Sequence, residues 1–350
     1  MPGWIRRRSA LALLLALLAI VVLLSSGIGA VAIPAGTVAR MISNRVLTWL
    51  GFGGLPGEWP KSYEAIVFQV RLPRILLAVL SGWALALAGT VFQGLFKNPM
   101  ADPYLIGISS GAAVGAAFAI VLRVGLGGSA LGLGAVPPLA FLGALGTSFL
   151  VYWLARVGGR LSLTSLLLGG VAVSAFLTAV VSLVMVLGTK DMQQVIFWLM
   201  GSFSGRSWQH VWVIVPYIAL GSGVMLPFAR ELNVALTGEE SAQYLGVDVE
   251  RMKKILIASG SLVAAAAVSV SGIIGFVGLI VPHAVRLIVG PDHRVLMPAA
   301  GIVGAIFLVL ADTLARTAIA PAELPVGIVT ALSGAPFFMY LLTKARGRTR

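Results

Sequence analysis

The stretch "RLPRILLAVLSGWALALAGTVF", Arg71–Phe92, decides the fold. From Ile75 to Phe92 it carries no charge, and a helix that crosses a bilayer needs about 20 mostly apolar residues. Two arginines stand at its head. Proline is favoured in the first turn of a helix and biases the residue before it toward an extended shape. The stretch therefore predicts Leu72 as the last non-helical residue, Pro73 as the first helical one, and Arg74 in the first turn. A cation there meets the positive end of the helix dipole, at a cost of roughly 0.3–1 kcal/mol. Something outside that helix must compensate both arginines.

The rest of the chain repeats the apolar pattern. Of its 350 residues, 59% are hydrophobic and 11% charged, against roughly 25% charged in soluble domains. Ten stretches are long and apolar enough to predict spans: about 10–33, 71–93, 104–124, 132–156, 162–187, 208–229, 254–271, 274–289, 295–316 and 326–343. The predicted fold class is an all-α polytopic membrane protein, one transmembrane domain over residues 1–350. The net charge of +13 is read as topology within a lipid bilayer, with no nucleic-acid partner. With the N-terminus inside, alternation puts 16 of the 25 Lys and Arg residues on the inner side, from Arg6, Arg7 and Arg8 to Lys344, Arg346, Arg348 and Arg350. That obeys the positive-inside rule and makes both termini cytoplasmic. The longest outer loop is then 34–70, directly before the two arginines. The N-terminus also has signal-peptide features, but its apolar stretch runs to Ile33, which predicts an uncleaved first helix.

Small residues fill the spans and let membrane helices approach closely. Gly272, Gly275 and Gly278 recur at every third position, which predicts one nearly bare helical face. Two inner loops are not simple turns. "KNPMADP" holds two prolines, with Asp102 as a candidate cap. It reads equally as a tight turn and as a constriction at an inner mouth. The loop 230–254 is the most charged part of the chain. Thr237 or Gly238 can cap a short helix with Glu239 and Glu240 in its first turn, and Gly246 can end it. Such a helix is a natural docking surface for a soluble partner; the bland alternative is a solvated connecting loop.

Several chemistries are absent. The chain has no cysteine and no G-x-x-x-x-G-K-[ST] phosphate loop, so it does not hydrolyse ATP itself. His210, His283 and His293 show no metal spacing. "GISSG", with Ser109 and Ser110, reads as helix packing, because no histidine matches it in depth. Gln93 and Asp312 are the nearest polar groups to mid-span. That argues against a proton-coupled carrier and for an external energy source.

"RLPRILLAVLSGWALALAGTVFQGLFKNPMADPYLIGISSGAAVG", "FWLMGSFSG", "GIIGFVGLIVPHAVRLIVGPDHRVLMP" and "ADTLAR…ELPVGIVTALSGAPFF" resemble the FecCD-type permeases of bacterial ABC importers, from about Arg71 onward. The resemblance implies the type II importer permease fold, ten spans per subunit, an inner-membrane homodimer with the path at its interface, two ATPase subunits and a periplasmic binding protein. It implies no enzyme activity and no cofactor on this chain, with ATP and magnesium held by the partner ATPase. It assigns Arg71, Arg74 and Arg316 to binding-protein docking. A bland reading gives Arg316 an i, i+4 pair with Asp312 and leaves Arg71 and Arg74 among head groups. "EESAQYLG" fits the loose importer pattern E-A-A-x-x-x-G and assigns Glu239, Glu240, Ala242 and Gly246 to ATPase coupling, with Ser241 in place of an alanine. Asn98, Met100, Leu163 and Thr164 are implied as the cytoplasmic gate. The imported compounds of the family are haem, ferric siderophores and vitamin B12. Phe197, Trp198 and Phe203 could line an aromatic path for haem, the expected substrate; they would also suit a siderophore or a corrinoid.

Overall fold

The computed structural model describes residues 3–52, 59–123, 133–157 and 160–346. Arg348 and Arg350, counted above for topology, lie outside them. Among the described residues fourteen α-helical segments follow in order: α1 Gly3–Gly27, α2 Ala35–Trp49, α3 Lys61–Leu95, α4 Ile108–Val121, α5 Val136–Leu154, α6 Leu163–Leu187, α7 Met192–Leu199, α8 Trp208–Met225, α9 Ala229–Ala235, α10 Glu239–Tyr244, α11 Val249–Ser271, α12 Val277–Val289, α13 His293–Ala315 and α14 Val326–Arg346. Seven are long and apolar enough to cross a membrane: α1, α3, α5, α6, α8, α11 and α13. Three more, α4, α12 and Val326–Tyr340 of α14, are apolar but shorter. Together they match the ten predicted stretches one for one. Among the described residues the sole strand pairing is a two-residue ladder, Arg156–Val157 against Arg160–Leu161.

The centre is α3, packed along α13, α11 and α12. α4 packs on α5 and α6, and α1 covers α13. Burial falls outward: 78% of the apolar window is buried in α3, α11 and α13, but 17% in α6. The outer helices keep apolar side chains for lipid or for another chain. The inner ones meet backbone to backbone. A Cβ on Gly82 of α3 would strike the carbonyl of Gly304 on α13, and one on Gly304 would strike that of Gly82. Without side chains there, the two helices gain dispersion contact along their length.

Three expectations need correction. The helix of the opening stretch does not begin at Pro73. It begins at Lys61 and runs to Leu95, with a π-helical stretch at Ile66–Arg71 just before the proline. Proline removes one helical hydrogen bond and crowds the carbonyl four residues back; the wider π-turn leaves room for that. Leu72 is accordingly helical. Second, 34–70 is not a plain loop, because it holds α2 and the first turns of α3, packed through Val38, Met41 and Val67. Third, Gly272 and Gly275 lie in the non-helical link 272–276 between α11 and α12, so the three glycines share no helical face.

Candidate functional site

At one end of the bundle the three arginines converge on α1 and Asp312. α1 ends at Gly27, and a helix leaves its last carbonyls without partners. Arg316 donates from Nη2 to Ser25 O. Arg71 donates from Nη1 to Ser26 O at 2.8 Å and from Nη2 to Val31 O. Cations are favoured at that end of a helix dipole. Arg74 bridges two acids: Nε and Nη2 reach Asp312 at 2.9–3.0 Å, and Nη1 reaches Glu323 at 2.9–3.0 Å. Arg316 Nε stands 4.0 Å from Asp312 Oδ2, the predicted i, i+4 pair. The arginines are only 5–7% exposed. They therefore do not stand free at an exposed helix start, nor among head groups. The compensation demanded by the opening stretch comes from within the chain.

Beside this cluster lies a cleft of about 440 Å³. Its walls are the end of α4 (Ile120), Leu133 ahead of α5 and the first turn of α5 (Val136, Pro137), α7 and the segment after it (Gln194, Phe197, Trp198, Ser202, Ser204, Arg206), Ser271 and the Glu323–Pro325 link. Glu323 joins cleft and cluster, since it also binds Arg74. Of the predicted aromatics, Phe197 is exposed on the wall and Trp198 is buried along it. Phe203 is placed otherwise: it is wholly buried in the core and does not line the cleft. Arg206 was not singled out from sequence. Its signal is a single cation in the glycine- and serine-rich "GSFSGRS". Burial lowers its pKa from the ordinary arginine value.

The opposite end carries the remaining predicted residues. α11 starts beside the charged loop and ends at Ser271 in the cleft wall, about 33 Å away at 1.5 Å per residue. α10 spans Glu239–Tyr244, with Gly238 rather than Thr237 as its N-cap. Gly246 ends it at φ +84, and its N–H donates to Gln243 O while that of Val247 donates to Ala242 O. This is the Schellman arrangement. Ala242 is buried, Glu239 and Glu240 are exposed, and Tyr244 and Leu245 project at 93% and 70% exposure. Beneath α10, the buried Lys253 Nζ donates to Glu239 at 2.8 Å and approaches Glu250 at 3.5 Å. Glu250 in turn accepts from Leu161 N–H at 3.1 Å. An unbroken polar chain thus links α10 to the hairpin that leads into α6, where Leu163 is half-buried and Thr164 exposed. Lys253 and Glu250 escaped the sequence reading because their significance lies in tertiary contact.

Past the end of α3, Asn98 Oδ1 accepts from Met100 N–H at 2.9 Å. Asp102 caps the short 3-10 turn Pro103–Ile106, accepting from Tyr104 N–H at 2.8 Å, and α4 starts only after Gly107 at φ +82. Ser110 Oγ donates to Gly107 O and lies 3.1 Å from Ser174 Oγ on α6. Among the described residues no three His, Cys, Asp or Glu side chains gather into a metal-binding group.

Residues 17–344 match the model for the FecCD transport family. The chain is 52% identical over 283 residues to the cobalamin import system permease protein BtuC of Halobacterium salinarum, covering 81% of this chain and 74% of that one. It is 40% identical over 362 residues to the hemin transport system permease protein HmuU of Yersinia pestis, covering 99% and 98%. A solved inward-facing structure of an ABC transporter assigned to the metal-chelate type superposes with a TM-score of 0.82 at 33% identity, covering 96% of this chain and 99% of that one.

Proposed function

This chain belongs to the FecCD transport family, and on that premise we propose that it is the permease subunit of an ABC importer for a metal–tetrapyrrole. Haem is the first substrate. It works as a homodimer in the inner membrane with both termini cytoplasmic. Two ATPase subunits hold ATP and magnesium, and a periplasmic binding protein delivers cargo. The observation that carries this reading is the placement of the cleft and of α10 at opposite ends of α11. One end offers an aromatic-walled recess; the other offers an exposed apolar knob, Tyr244 and Leu245, on a capped helix. An exposed pair of large apolar residues on a polar surface is what a partner interface needs. In this reading the cleft faces outward, Phe197 and Trp198 meet cargo, and Glu239, Glu240, Ala242 and Gly246 seat in the ATPase. Asn98, Met100, Leu163 and Thr164 close the inner mouth. The arginines Arg71, Arg74 and Arg316 shape the docking face for the binding protein.

A corrinoid is the second reading, favoured by the 52% identity to the cobalamin permease. Co-reconstitution of the permease with its ATPase and binding protein tests both. ATP-dependent accumulation of haemin, exceeding that of cyanocobalamin, is expected. The reverse preference would shift the substrate to the corrinoid. Accumulation by the permease alone, without ATP, would instead make it a secondary transporter.

A further inference from the structure

The cleft wall holds two donors with nothing to donate to. Arg206 Nε and Trp198 Nε1 are both buried and without a hydrogen-bond partner among the described residues. Indole N–H only donates, and a guanidinium has five donors and no acceptor. The carboxylate on the same wall, Glu323, is turned to Arg74, from which both its oxygens accept. The other polar walls are neutral, namely Gln194, Ser202, Ser204 and Ser271. Ser202 Oγ accepts from Ser204 N–H, and Ser271 Oγ donates to Ala267 O and Gly272 O. Among the described residues no carboxylate reaches Arg206 Nε or Trp198 Nε1.

We propose that Arg206 and Trp198 form an acid-recognition point in this cleft, taking a carboxylate or phosphate oxygen that the cargo carries. A guanidinium matches planar carboxylate and phosphate geometry and is more weakly hydrated than an ammonium, so it suits a half-buried site. Phe197, exposed beside Trp198, offers an aromatic face for the apolar body of the same molecule. The inference rests on the metal–tetrapyrrole reading. Both candidate cargoes carry such an acid: propionates on haem, a phosphodiester on cobalamin. The site orients a molecule that enters acid-first and discriminates against equally large apolar chelates.

The chain has no cysteine, so a Ser204→Cys protein carries a single thiol on the exposed part of the cleft wall. In the permease–ATPase complex in nanodiscs, its labelling by an anionic and a cationic methanethiosulfonate reports the local potential without any cargo. Adding Arg206→Gln is expected to lower the anionic-to-cationic rate ratio several-fold, and Arg206→Lys to lower it less. An unchanged ratio would overturn the proposal, whatever the cargo. The second arm uses haemin, haemin dimethyl ester and cyanocobalamin as protecting ligands. Haemin is expected to slow labelling several-fold more than its ester, and Arg206→Gln to remove that difference. Protection by cyanocobalamin alone, lost in Arg206→Gln, would support the acid contact while overturning haem as substrate. Protection by haemin and its ester to the same degree, protection indifferent to Arg206, or no protection by any of the three would sink the acid contact.

Discussion

Asp312 balances the arginine cluster. It is buried to 1% exposure, accepts three bonds from Arg74 and faces Arg316. Removing one member of a buried pair leaves the other charge uncompensated, which costs about 3–5 kcal/mol. An Asp312→Asn permease keeps the shape and loses the charge. We expect its thermal midpoint in detergent to fall by several degrees; a midpoint equal to wild type would show that the cluster is not structural. Glu323 differs. It sits in a link, with its side chain 38% exposed, and holds only the outer edge of Arg74. An exposed or half-exposed pair contributes about 0–1 kcal/mol, so Glu323→Gln should barely move the midpoint. It should strengthen capture of the binding protein at low salt, because it frees one edge of Arg74 for a carboxylate from the partner. Weaker capture by Glu323→Gln would mean that Arg74 does not receive such a group.

Among elements, α10 matters through what lies beneath it. Lys253 ties Glu239 on α10 to Glu250 on α11, and Glu250 holds Leu161 ahead of α6. A push on α10 has a path to the start of α6 through three polar contacts, at 2.8, 3.5 and 3.1 Å. Lys253→Met preserves the apolar stem and removes the charge. We expect the complex to assemble and hydrolyse ATP while transport per ATP drops severalfold; unchanged coupling would free this lysine of any transmitting role. The inner mouth gives a further check. Single cysteines at Met100 or Thr164, which are half-buried and exposed respectively, should cross-link between two copies in one nucleotide state. Failure at both positions in every state would move the gate elsewhere. The legible and the illegible parts of this chain divide along the same line. Hydrophobic runs alone mark the ten apolar helices, seven of them long enough to span, and cap chemistry alone dictates Asp102 and Gly246, so both could be read residue by residue. The break at 272–276, where Gly272 lies against the carbonyl of Trp198, and the burial of Phe203 depend on neighbours distant in sequence. Arg206 and Lys253 were hidden for the same reason, since nothing local marks a cation as unpaired or as a bridge.

Across the whole molecule, burial sets which parts can move. α3, α11 and α13 form a close-packed centre, and Gly82 and Gly304 bring two of them into backbone contact. Sliding either helix by one residue would drive a side chain into the other's carbonyl, so this centre resists shear. α6 is held on one side by α4 and α5 and leaves Leu168, Val171, Phe176 and Leu183 uncovered. It bears the proposed gate at its first turn, and the hairpin before it is tied to Glu250 through Leu161 N–H. On the proposed function, we expect a change of state that opens the inner mouth to be carried by α6 and the hairpin before it, against the close-packed centre. Regions with few buried contacts open at lower free energy than cores. Hydrogen exchange on the complex in nanodiscs, with and without trapped nucleotide, reads this directly. Peptides from 160–187 should change their exchange between the two conditions, while those within 72–95 and 293–315 should not. Equal changes in the central helices would mean that the bundle rearranges as a whole, and that Gly82 and Gly304 mark a hinge rather than a lock.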